Sequence, residues 1–124
     1  MNAETLLHRQ AHPKFAPRGQ LTSQAFMPFP KDEGLLSVDD GDQISAAEAF
    51  AYYTGVLGHQ SCGVWSVSKA EADGESAQAI PTPEPDRPAH ASLDFRGKSE
   101  KECRKIAKIL KILARARGCQ YSPA

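Results

Sequence analysis

The last third of the chain carries a long amphipathic helix, and this helix constrains the fold more than any other feature. Ser99 and Glu102 form an S-x-x-E capping box at its start, and Gly118 stands where such a helix ends. The residues between them place an apolar stripe on one side, formed by Cys103, Ile106, Leu110, Leu113 and Ala114. The pattern predicts a helix that packs this stripe against a second layer of the protein.

The opposite side of the same helix is cationic. Residues 96–117 hold nine basic and two acidic side chains, whereas residues 1–95 hold six basic and thirteen acidic ones, so the net charge of the chain is zero. Six of the basic residues share one arc of the helix and are called the cationic flank below: Lys101, Arg104, Lys105, Lys108, Lys111 and Arg115. A basic segment on an acidic body predicts an intramolecular charge match, a partner-protein surface or a nucleic-acid contact.

The rest of the chain alternates short strand patterns with one further helix. A capping box at Ser45 and Glu48 predicts a helix over Ala46 to Leu57, with Phe50, Tyr53 and Leu57 facing the core. Lys69 to Ala72 is compatible with a short helix. The predicted strands cover Leu21 to Phe26, Leu35 to Val38, Cys62 to Val67 and Ala89 to Phe95, and the first two could form a hairpin.

These elements predict one α+β domain over residues 1–124. We expect a small, mostly antiparallel sheet of three to four strands, with the two helices packed on one face. Pro13 and Pro17 indicate an extended N-terminal segment over residues 1–20, and four prolines between Pro81 and Pro88 indicate a stiff connector over residues 73–88. The longest unbroken apolar run, Ala49 to Tyr53, is too short to cross a membrane.

The cationic flank is the first candidate functional surface. Its charge favours an acidic protein partner or self-association, and the apolar Ile112 projects from the same arc. Contact with nucleic-acid phosphates is the alternative, although the acidic body and the lack of aromatic residues among the cations argue against it. A plain solvated helix face is also compatible with this composition.

A second candidate is a small transferase or hydrolase site. Serine nucleophiles need a neighbouring base, and five suitable side chains fall near predicted strand ends: His8, His12, Ser23, Ser37 and His90. The spatial clustering of these residues in a concave pocket would favour this interpretation.

Metal and cofactor binding have weak support. His59, Cys62, Cys103 and Cys119 could together supply zinc ligands, but no second closely spaced pair completes the pattern. The sequence has no P-loop, no dinucleotide-binding glycine motif and no H-E-x-x-H motif, so we expect no cofactor. Three widely spaced cysteines predict reduced thiols and a cytoplasmic location.

Four blocks of the sequence resemble a family of small bacterial proteins of unknown function. They are Leu7 to Pro13 with the pattern HRQxHP, Thr22 to Phe26 (TSQAF), Leu36 to Asp42 (LSVxDGD) and Pro88 to Phe95 (PxHAxxDF). The resemblance implies a bacterial, cytosolic origin and carries no established activity. For so small a protein we expect a non-catalytic accessory or regulatory role in a bacterial operon, of the antitoxin, immunity or defence type.

Overall fold

A sheet of five antiparallel strands forms the centre of the protein. The computed structural model describes residues 1–123, and its strands lie in the spatial order β3-β1-β2-β5-β4. Their bounds are Leu6–Ala11 (β1), Leu35–Asp40 (β2), Gly63–Ser68 (β3), Gln78–Pro81 (β4) and His90–Asp94 (β5). The helices are Ala46–Ala51 (α1), Lys69–Gly74 (α2) and Glu100–Arg117 (α3). The α+β class is confirmed, with one strand more than the three to four that we expected.

Helix α3 forms as its sequence predicts. The Ser99 hydroxyl accepts a hydrogen bond from the Glu102 amide at 3.1 Å, and the Ser99 amide donates to the Glu102 carboxylate at 3.0 Å. Its buried side chains are Cys103, Ile106, Ala107, Leu110 and Ala114, and they join the hydrophobic core. Among residues 1–123, no helix combines the length and the apolar character that crossing a bilayer requires.

The strand register gives the sheet one apolar and one polar face. Leu7 lies opposite Val67, and Leu36 lies opposite Leu93, and all four belong to the core beneath α3. The alternate positions place polar side chains on the other face, namely His8, Gln10, Ser37, Asp39, Ser66, His90 and Ser92. The apolar face and the polar face of the sheet therefore need different covering elements.

Helix α1 covers the polar face, so α1 and α3 lie on opposite sides of the sheet rather than on one. The Phe50 ring of α1 packs against the Tyr121 ring, with centroids 5.1 Å apart. Tyr121 pairs with Val64 of β3, whose side chain lies on the polar face. Only Ala49 of α1 is fully buried, and Leu57 remains 36% exposed. A π-helical turn at Tyr52–Val56 continues α1 and changes the spacing of the aromatic residues, so they do not form the expected core stripe.

One local expectation is wrong, and two further segments contain strands that the sequence did not reveal. Residues Ser23–Phe26 form a 3₁₀ turn that buries Ala25 and Phe26 in the core, so the strand and hairpin predicted from Leu21 do not form. The segment 1–20 contains β1, which pairs with strands on both sides. The connector 73–88 contains β4, which lies at the edge of the sheet. An edge strand tolerates Pro81 because proline has no amide proton to donate to a further strand.

Arg9 fills a gap between the two central strands. β1 and β2 are in register only at Leu7–Asp40 and His8–Asp39, and the strands then diverge. In the gap, Arg9 Nε donates to the Ala25 carbonyl at 2.7 Å, and Arg9 Nη1 donates to the Ser37 carbonyl at 2.9 Å. Burial lowers the pKa of Arg9. The guanidinium therefore replaces the missing strand hydrogen bonds and ties the 3₁₀ turn to the sheet.

We expect Arg9→Met to lower the free energy of unfolding by about 2–5 kcal/mol, because two backbone carbonyls would lose charge-assisted hydrogen bonds. The measurement is urea unfolding followed by circular dichroism. Arg18→Met is the matched control, since Arg18 is exposed, and it should change stability by less than about 0.5 kcal/mol. Equal effects of the two substitutions would contradict the bridging role of Arg9.

Candidate functional site

A cleft of 410 Å³ opens on the polar face where β1 and β2 diverge. Side chains of both strands line it, including His8, Gln10 and Ser37, and Tyr53 and His59 line it from the segment that follows α1. Phe15 and Phe29 also line the cleft, and their rings stack with centroids 5.7 Å apart. The cleft therefore combines a polar sheet surface with aromatic side chains.

Cationic side chains outnumber anionic ones around this cleft. Its lining includes the basic residues Arg9, Lys14, Lys31 and Arg87 and the acidic residues Asp32 and Asp39. Arg87 Nη2 lies 3.1 Å from Asp39 Oδ1, and the Arg87 guanidinium also lies over the Tyr52 ring. Burial raises the pKa of Asp39, although the nearby Arg87 opposes that shift. The remaining positive charge suits an anionic ligand.

Ser37 and His90 form a hydrogen-bonded pair beside the cleft. His90 Nε2 lies 3.1 Å from Ser37 Oγ, and His90 Nδ1 lies 2.9 Å from the Thr82 carbonyl oxygen. Thr82 Oγ1 also lies 3.0 Å from His90 Nδ1, but its own proton can go to Ser92 Oγ at 2.8 Å. Because the carbonyl oxygen only accepts hydrogen bonds, we assign the proton of a neutral His90 to Nδ1. The lone pair on Nε2 then faces Ser37, whose hydroxyl donates to it.

His8 is a buried side chain that is bonded to the neighbouring strand. Its Nδ1 lies 2.7 Å from Ser66 Oγ of β3, and the residue is only 6% exposed. Burial lowers the pKa of His8, although Asp39 and Asp40 oppose the shift. We interpret His8 as a neutral structural residue that joins β1 to β3.

The structure brings four of the five candidate catalytic residues to one region. His8, His12 and Ser37 line the cleft, and His90 contacts Ser37. Ser23 does not join them, because it begins the 3₁₀ turn that packs into the apolar core. His12 Nδ1 accepts from the Lys14 amide at 3.0 Å and so caps a short turn.

The sequence analysis did not identify several residues of this region as candidates. Thr82 and Arg87 lie in the expected connector, and Gln10 lies in the expected N-terminal extension. Gln10 is 7% exposed and its Oε1 accepts from Ser61 Oγ at 2.8 Å, while its Nε2 has no hydrogen-bond partner within residues 1–123. A buried amide without an acceptor costs stability, which favours a ligand oxygen at this position.

The candidate zinc ligands do not come together. Across the described residues, 1–123, no group of three or more His, Cys, Asp or Glu side chains is arranged to hold a metal ion. Cys103 lies in the hydrophobic core, Cys119 is exposed, and Cys62 is half-buried. His59 instead packs against the Tyr53 ring, with centroids 4.9 Å apart.

The cationic flank of α3 is not covered by the acidic part of the chain. Arg104 pairs with Glu100 of its own helix at 3.3 Å, and Arg115 donates to the neutral Gln20 at 2.8 Å. Within residues 1–123, the salt bridges include none from Lys101, Lys105, Lys108 or Lys111. Ile112 stands beside these residues with 60% of its surface exposed.

The comparisons with known proteins identify no relative. No protein-family model, no curated protein and no solved structure matches this chain. Membership of the small bacterial family suggested by the four sequence blocks therefore stays a prediction, and the function has to be argued from the two surfaces described above.

The low pKa of His8 predicts a pH dependence of stability. Unfolding frees the imidazole to bind a proton that the folded state resists, so the stability that neutral His8 contributes declines as the pH falls below about 6.5. Urea unfolding at several pH values between 7.5 and 5 measures this decline. His8→Gln should remove part of the slope, whereas His59→Gln, at an exposed position, should retain it. If the free energy of unfolding changed with pH equally in the wild type and in His8→Gln, the pH dependence could not be assigned to His8.

Proposed function

We propose that this protein is an interaction module that binds an acidic protein surface through the cationic flank of α3. The proposal rests on the positive charges of the cationic flank, which the acidic part of the chain leaves uncovered. An amphipathic helix needs only its apolar stripe for folding. In α3, Cys103, Ile106 and Leu110 are at most 8% exposed, and the partly buried Leu113 packs against the same core. The cations contribute little to this packing, which leaves them for an external contact.

The exposed Ile112 supports a protein partner over a purely electrostatic one. Its side chain lies among lysines, and interfaces typically surround an apolar centre with a polar rim. Complementary charge would speed encounter and select the orientation, while Ile112 would add buried apolar area. A second copy of this chain is one possible source of such an acidic surface, because residues 1–95 carry thirteen acidic side chains.

The biological setting that we propose is an accessory or regulatory subunit in the bacterial cytoplasm, of the antitoxin, immunity or defence type. The three cysteines are free thiols, which supports a reducing compartment.

Neutralising two flank lysines tests the proposal. The probe is a fluorescein-labelled acidic peptide of alternating Glu and Leu, and the readout is fluorescence anisotropy at low salt. Lys105→Gln with Lys108→Gln should weaken binding about tenfold, because each exposed ion pair contributes about 0.5–1 kcal/mol. Ile112→Ser should weaken it further.

The matched control is Lys14→Gln with Arg18→Gln, which removes the same charge from two exposed positions outside α3 and should leave binding unchanged. Equal weakening by both pairs would contradict a specific role of the flank. Sedimentation at several protein concentrations separates self-association from heterologous binding. A salt-dependent dimer that Lys105→Gln with Lys108→Gln disrupts would identify the partner as a second copy.

Nucleic-acid binding is the alternative, and the same uncovered cations favour it. If the flank neutralises about five phosphates, log K for duplex DNA should fall with log salt at a slope near −4 to −5. Anisotropy of a labelled duplex across a salt series measures this slope. Absence of binding to DNA and RNA at low salt would remove the alternative.

A further inference from the structure

We propose that the cleft is a second functional site, in which Ser37 acts as a nucleophile and His90 as its base toward small carboxylic esters that carry a negative charge. The site lies on the polar face of the sheet, opposite α3, so this inference is independent of the interaction proposed for the cationic flank. It rests on the Ser37–His90 pair, the charge of the cleft and the unpaired amide of Gln10.

The hydrogen bonds around His90 set the direction of proton transfer. The Thr82 carbonyl at 2.9 Å holds the Nδ1 proton, which leaves Nε2 to accept the Ser37 proton across 3.1 Å. A nucleophile, a base and a group that orients the base form the arrangement used for acyl transfer by serine enzymes. Thr82 is a positioning residue here, because it acts only through His90.

The carboxylate of Asp39 would stabilise the protonated state of His90. Asp39 lies directly opposite His90 in the β2–β5 pair, on the same face as Ser37. When His90 takes the serine proton, its new positive charge lies near the negative charge of Asp39. Arg87, at 3.1 Å from Asp39, keeps that carboxylate in place.

The cleft lining indicates the class of substrate. Lys14 and Lys31 form no salt bridge within residues 1–123, so their positive charge is available to a ligand. Phe15 and Phe29 provide a stacked aromatic surface. Gln10 Nε2 is a buried donor that has no acceptor among residues 1–123. Together they suit an ester whose acid part carries a second carboxylate, with the amide of Gln10 donating to a substrate oxygen.

The reaction needs only the ester and water. Ser37 Oγ forms a bond to the acyl carbon as its proton moves to His90 Nε2, and the ester C–O bond breaks as His90 protonates the leaving alcohol. A water molecule then attacks the acyl-serine while His90 takes its proton, the acid departs, and the proton returns to Ser37. No oxidation or reduction is involved.

Hydrolysis of 4-nitrophenyl hydrogen glutarate by the full chain tests the proposal, with neutral 4-nitrophenyl acetate as the comparison ester. We expect a higher kcat/KM for the anionic ester. Ser37→Ala and His90→Gln should each lower kcat/KM by about 100-fold or more, as expected for loss of a nucleophile or base. Ser23→Ala, which lies outside the cleft, is the matched control and should retain the wild-type rate.

A second measurement uses only the wild-type protein, so it does not depend on the folding of any variant. The wild-type protein is treated with a fluorophosphonate, which a serine nucleophile attacks with loss of fluoride, and the modified peptide is identified by mass spectrometry. Modification at Ser37 supports the proposal. An unmodified protein, modification mainly at another residue, or hydrolysis that Ser37→Ala and Ser23→Ala leave equally unchanged would overturn it.

Discussion

The divergence of β1 from β2 and its bridging by Arg9 determine most of the architecture. Two register pairs join these central strands, and beyond them the Arg9 guanidinium connects the 3₁₀ turn at Ala25 to β2 at Ser37. The turn is thereby held in the apolar core, against the stripe of α3. The same divergence opens the cleft on the polar face. One buried cation thus links the packing of the core to the shape of the candidate site.

The alternation of side chains along the strands separates two candidate functions in space. The apolar face is covered by α3, whose outer surface presents the cationic flank. The polar face is covered only in part by α1, and it retains a cleft with the Ser37–His90 pair. A partner could therefore bind α3 without closing the cleft. This separation explains how one small chain could carry both an interaction surface and a ligand site.

The elements that were predicted from the sequence are those with strong local signals. Helix α3 has a capping box and a regular apolar stripe. Strands β3 and β5 contain enough apolar residues to be predicted as strands. Strand β1 was missed because Arg9 and Gln10 gave it a polar composition, although the fold accommodates both side chains. The histidines and Ser37 were candidates, but Thr82 and Arg87 were not. Thr82 contacts His90 and Arg87 contacts Asp39, across separations of 8 and 48 positions in the sequence. Such pairings depend on the strand order, which local patterns do not specify.

Both proposals depend on the cationic flank being free for an outside acidic partner while the polar face binds a different ligand. The decisive measurement is backbone chemical-shift mapping during titration with the acidic peptide. We expect chemical-shift changes confined to α3, centred on Arg104, Lys108 and Ile112, with β1 and β2 unchanged. Shifts centred on the cleft, or spread evenly over every basic residue, would contradict it.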